Sequence, residues 1–254
     1  YIKEGKNLLA VRVDNSHQPN TRWYAGGGIY RHVWLVVTDP LHVGYNGIFV
    51  TTPEIKEGHA EVAVRTLIEN RYSDAVRNGG LLTVITDKTG KEVAKNEIPF
   101  YVEGETETEL HQKITVSDPE LWSVDSPELY TLKTYIKKDG KIIDNIDTDF
   151  GIRELEFSSE KGFLLNGEQL KIKGVCLHHT AGCVGAAVPD GVWERQLKIL
   201  KEMGCNAVRT AHNPFAPEFY DMCDRIGLLV KAEAFDELYE PKANGLMIND
   251  VVPY

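Results

Sequence analysis

The spacing of apolar residues changes once along this chain, near Gly162, and that change divides it into a β portion followed by an α/β portion. Before the change, apolar and polar residues alternate, as on a half-buried strand. Val62, Val64, Thr66 and Ile68 fall on one face, Glu61, Ala63, Arg65, Leu67 and Glu69 on the other, and Leu110, Gln112, Ile114 and Val116 repeat the pattern. After it the period is about 3.6 residues, that of an amphipathic helix.

The β portion runs from about Leu41 to Phe157, with turn chemistry at Asn78-Gly79-Gly80, Lys88-Thr89-Gly90 and Lys138-Asp139-Gly140. About seven short strands in roughly 115 residues fit an antiparallel sandwich of immunoglobulin type. Upstream, Leu8 to Val13 and Ile29 to Leu35 also read as strands, the second after Gly26-Gly27-Gly28. Two or three strands leave unpaired edges, so residues 1–40 read as the end of another β-domain.

The last portion alternates strand and helix. Lys171 to Leu177 reads as a buried strand. Asp190 is placed to cap a helix with the stripe Trp193, Leu197, Leu200, Met203, ending at Gly204. Asn206 to Thr210 is a second strand, and Pro217 to Gly227 a second helix whose Phe219, Met222, Cys223 and Ile226 share a face. Leu228 to Ala232 begins a third strand. This is the opening of a parallel α/β unit. Gly162 to Tyr254 is 93 residues, whereas a (β/α)8 barrel takes ~250, so the expectation is a truncated barrel over 158–254, a sandwich over 41–157, and a chain that is a fragment.

Composition narrows the functional classes. Apolar residues at 42% and charged residues at 26% are the balance of a globular protein, and a net charge of −10 repels a phosphate backbone, which argues against nucleic acid. The longest apolar run, Val33 to Val37, is far short of the ~20 residues that cross a bilayer. Cys176, Cys183, Cys205 and Cys223 lack the spacing of a disulfide framework or zinc ribbon. Tyr1 reads as a mid-protein residue, so the compartment, cytoplasmic or periplasmic/secreted, is left open.

In a parallel barrel the reacting groups gather at the carboxyl ends of the strands. His178 and His179 follow the first strand, Arg209, His212 and Asn213 the second, and Glu233, Asp236 and Glu237 the third. Each has a plainer reading: a structural histidine, a buried arginine–carboxylate pair, a solvated loop. A zinc site from His178, His179 and His212 is disfavoured because adjacent residues on an extended strand point to opposite faces.

At these residues the chain resembles glycoside hydrolase family 2, which holds β-galactosidases, β-glucuronidases and β-mannosidases. Asn206-Ala207-Val208-Arg209-Thr210-Ala211-His212-Asn213-Pro214 is similar to the family's Asn-x-x-Arg-x-x-His motif, Lys173 to His179 to its first barrel strand, and Glu233-Ala234-Phe235-Asp236-Glu237 to its third strand end. Arg22-Trp23-Tyr24 with Gly28-Ile29-Tyr30-Arg31 resembles the close of its sugar-binding jelly roll, in the form more like β-galactosidases. Leu121-Trp122-Ser123 with Pro127-Glu128-Leu129-Tyr130 resembles its sandwich.

The resemblance implies retaining hydrolysis of terminal β-linked sugars, foremost β-galactosides, by two glutamates beyond the fourth and seventh strands. Both lie past Tyr254, so no catalytic residue is assigned here and the chain alone is expected to be inactive. It implies substrate contacts at His178, His179, Arg209, His212, Asn213 and Asp236, with Glu237 in outer support. Thr180 and Ala232 depart from the family pattern at positions often acidic or histidine, which weakens the case for a divalent cation; no cofactor is assigned. The expected partner is an oligosaccharide or glycoside, with homo-oligomerisation left open. The competing expectation is a non-catalytic carbohydrate-binding or scaffolding module.

Overall fold

The computed structural model describes residues 3–14, 16 and 28–234. Seven strands form the sandwich: β1 (Leu41–Lys56), β2 (His59–Asn70), β3 (Val76–Thr86), β4 (Glu92–Val102), β5 (Thr106–Ser117), β6 (Tyr130–Lys138) and β7 (Lys141–Phe150). They pair antiparallel in two sheets, of order β1-β2-β5 and β4-β3-β6-β7. The alternation in β2 is realised in full, with Val62, Val64, Thr66 and Ile68 all buried against the facing sheet. Burying each such aliphatic side chain stabilises the sandwich by about 1.5–3 kcal/mol.

Asn78-Gly79-Gly80 is no turn, because both glycines lie inside β3. Glycine is needed at position 79 because a Cβ there would sit 2.4 Å from the Phe100 ring on β4. Residues 8–13 and 29–35 form no strand; they are mostly exposed, with Leu8 and Leu35 among the most accessible side chains. A strand requires a hydrogen-bonding neighbour, and the described residues supply none for these two segments. Asp190 does not cap its helix; it is the first helical residue, after Pro189.

A small antiparallel sheet follows, β8 (Leu155–Ser158), β9 (Gly162–Leu165) and β10 (Glu168–Gln169). The parallel unit is β11 (Gly174–Leu177), α1 (Asp190–Glu202), β12 (Ala207–Thr210), α2 (Pro217–Ile226) and β13 (Leu229–Ala232), with sheet order β11-β12-β13. No closed barrel forms among the described residues. β11 is shorter than expected and only half-buried. α2 keeps its expected limits: Pro217 at its start, where the missing N–H costs nothing, and Gly227 left-handed at its end, with φ +81°.

Trp193 and Leu197 of α1 and Phe219, Met222 and Cys223 of α2 pack over Val208 in one core. Met203, the last residue of the expected stripe, is exposed. The helices of the parallel unit meet the sandwich through Trp122, whose Nε1–H donates to the Asp224 carbonyl of α2 at 2.9 Å, and through Lys201 of α1, which donates to the Val124 carbonyl and also to that of Gly227.

Candidate functional site

Register decides what the three parallel strands offer. Val175, Val208 and Val230 lie side by side and face the helices, and the next row, Cys176, Arg209 and Lys231, faces the opposite way. Continuing that alternation past the strand ends sends His178 and Glu233 toward the Arg209 face and His179 toward the helices.

The contacts agree. Arg209 reaches Glu233 with Nε 2.5 Å from Oε1, and its Nη2 pairs with the same oxygen. Its Nη1 lies 3.5 Å from the Cys176 sulfur. His212 Nδ1 lies 2.7 Å from Glu233 Oε2 and 3.3 Å from Arg209 Nη2. One nitrogen cannot donate to the carboxylate and accept from the guanidinium together, so we assign a proton to Nδ1, donating along the shorter contact. The His178 ring meets that of His212 edge-on at 5.5 Å. Glu233 is fixed further by its own N–H, which donates to the buried Thr210 hydroxyl at 3.2 Å.

Partial burial pushes the Glu233 carboxyl up, but the hydrogen bonds from His212 and Arg209 and the guanidinium charge outweigh it, leaving the pKa below the ordinary glutamate value. Arg209 is held cationic by the Cys176 sulfur and by Glu233. The result is an ionised pair with one imidazole fixed beside it, a surface that can donate to and accept from neutral hydroxyl groups.

His179 stands apart. It packs against Trp193 at 5.3 Å and Phe215 at 4.9 Å, and burial, with the charge of Arg31, lowers its pKa. Asn213 is exposed on the loop after His212. Asp236 and Glu237 lie outside the described residues, as do Arg22, Trp23 and Tyr24. No group of three or more metal-ligating side chains occurs among the described residues.

Two features escaped the sequence reading. Glu233 was read only as one carboxylate among several; the parallel register of β12 and β13 is the signal that could have matched it to Arg209. The 30–32 segment, which the sequence places at the end of another β-domain, ties down the site loop. Arg31 Nη2 donates to the Pro214 carbonyl at 2.5 Å, Tyr30 meets the His179 ring at 5.5 Å, and His32 pairs with Asp190 at 3.1 Å.

Sequence comparison assigns the same architecture. Residues 43–153 match Glycosyl hydrolases family 2, and residues 157–246 match the TIM barrel domain of that family. The chain belongs to glycosyl hydrolase family 2, and its parallel strands are the start of that barrel. Beta-galactosidase BoGH2A of Bacteroides ovatus is 48% identical over 93% of this chain, and a putative beta-glucuronidase of Formosa agariphila 42% identical over 93%. The chain spans 28% and 22% of the lengths of those two relatives. Among solved structures, a family 2 member from Bacteroides cellulosilyticus superposes with a TM-score of 0.83 at 41% identity, over 87% of this chain and 30% of that one. A Bacteroides uniformis beta-glucuronidase, solved covalently bound to cyclophellitol-6-carboxylate aziridine, gives 0.81 at 27% identity, over 92% and 29%.

Proposed function

We propose that this chain supplies the sugar subsite of a retaining β-glycosidase acting on terminal β-linked sugars, with β-galactosides as the substrate. The observation that carries the reading is the Arg209–Glu233–His212 cluster with His178 beside it, at the carboxyl ends of adjacent parallel strands, where barrel enzymes hold their substrates. His178 and His212 hydrogen-bond sugar hydroxyls through their ring nitrogens. Arg209 orients the attacking carboxylate and keeps it ionised, and Asn213 braces the loop. Asp236 is a further sugar contact and Glu237 its support.

In the retaining route one carboxylate attacks the anomeric carbon while a second, ~5–5.5 Å away, protonates the leaving oxygen and later activates water. Glu233 is not the nucleophile in this reading, because it is committed to Arg209 and His212; its role is positioning. In this reading neither reacting glutamate is assigned to a residue of this chain. The β-galactosidase name of the 48%-identical relative supports the galactoside choice. β-Glucuronides are the second reading, supported by the relatives bearing that name.

The test is to assay the complete gene product on nitrophenyl β-galactoside, β-glucuronide and β-mannoside. Preferential turnover of the galactoside is expected. Preference for the glucuronide or mannoside would overturn the substrate choice, and no turnover of any would overturn the reaction.

A further inference from the structure

A cavity of about 390 Å³ lies at the junction of the sandwich with the parallel unit, within the size range of small-molecule pockets. Its walls come from β1, from Trp122, from the end of β7 and the residues after it, and from Asp224 of α2, so it shares no residue with the Arg209–His212–Glu233 cluster. Its charged groups keep hydrogen-bonding capacity to spare, although Arg153 and Asp224 act on each other through their charges. The Arg153 guanidinium stacks 4.6 Å over the Trp122 ring, yet no hydrogen bond or ion pair engages any of its N–H donors among the described residues. The Asp224 side chain is likewise without a hydrogen bond among them, and Asp149 commits one oxygen, which accepts from the Thr131 hydroxyl at 2.8 Å.

One cation and two carboxylates disfavour an anionic ligand. They suit a neutral one whose groups both donate and accept: donors go to Asp149 and Asp224, acceptors to the guanidinium fork. Pro53 and Leu155 add apolar wall for a C–H face. Hydroxyls and C–H faces on one small ring describe a sugar. We propose that this junction cavity binds a single neutral pyranose, separately from the strand-end cluster.

The indole of Trp122 reports on the cavity, since it lines it, its N–H donates to the Asp224 backbone carbonyl and its ring carries Arg153. The experiment is to titrate the 254-residue chain with galactose and with glucose, following the Trp122 indole ¹H–¹⁵N resonance, assigned by Trp122→Phe. A saturable shift with a millimolar dissociation constant is expected for at least one sugar. Arg153→Lys, which loses the fork, and Asp149→Ala, at an exposed position that leaves the core intact, should each weaken it by about tenfold. His212→Ala should leave it unchanged even where the strand-end reading fails. No shift with either sugar, equal affinity in the Asp149→Ala chain, an equal response to sulfate, or loss of the response in His212→Ala would each overturn the proposal.

Discussion

The Glu233 carboxylate is held by His212 at one oxygen, 2.7 Å from Nδ1, and by Arg209 at the other. A carboxyl stabilised in its charged form has a folded-state pKa below the ordinary value of 4.5. Its contribution to stability is therefore present above that value and is lost as pH falls through the lower folded-state pKa. A carboxyl ¹³C titration should place the Glu233 midpoint below 4.5, and Arg209→Gln should move it upward. An unmoved midpoint would show that the guanidinium does not act on Glu233.

Arg31 links the 30–32 segment to the loop after β12 through the Pro214 carbonyl. Arg31→Ala should destabilise the chain by about 1 kcal/mol in urea melts. It should also raise the His179 pKa, because the Arg31 charge and burial now hold it down. A His179 titration unchanged in the variant would place Arg31 elsewhere.

Trp122 is almost fully buried and joins the sandwich to α2 of the parallel unit. Trp122→Ala should cost about 3–5 kcal/mol, as large-to-small core changes do. Trp122→Phe keeps most of the packing but forfeits the bond to Asp224, and should cost about 1 kcal/mol beyond the volume change. Equal losses in the two variants would show that packing at this junction contributes little.

The cysteines should react in an order set by exposure. Cys176 and Cys183 are exposed and Cys223 is buried, where desolvation pushes its thiol pKa up. A thiol reagent should label the first two in the native chain and Cys223 only after denaturant. Native labelling of Cys223 would mean that α2 does not pack as described.

Much of this was legible in the sequence because local chemistry and tertiary packing agree. The alternation in β2 gave its buried face, and Pro217 and Gly227 marked α2 because each suits one helix end and no interior position. Period two also foretold that His178 and His179 would diverge. What stayed hidden depends on partners distant in sequence. Gly79 reads as a turn until Phe100 is seen across the sheet. Asp190 reads as a cap, but the helix starts with it, directly after Pro189. Residues 29–35 read as a strand after a run of glycines, but only a neighbouring strand makes them one. Glu233 joined the site through the register of two strands separated by a helix, which composition and spacing do not reveal.

The central claim is that His178, Arg209 and His212 surround a single sugar ring, and a crystal structure of the complete gene product with bound galactose tests it most directly. The account predicts a pyranose over the ends of β11 to β13, with hydroxyls about 3 Å from the imidazoles of His178 and His212. A pyranose seated in the barrel away from both rings would contradict it.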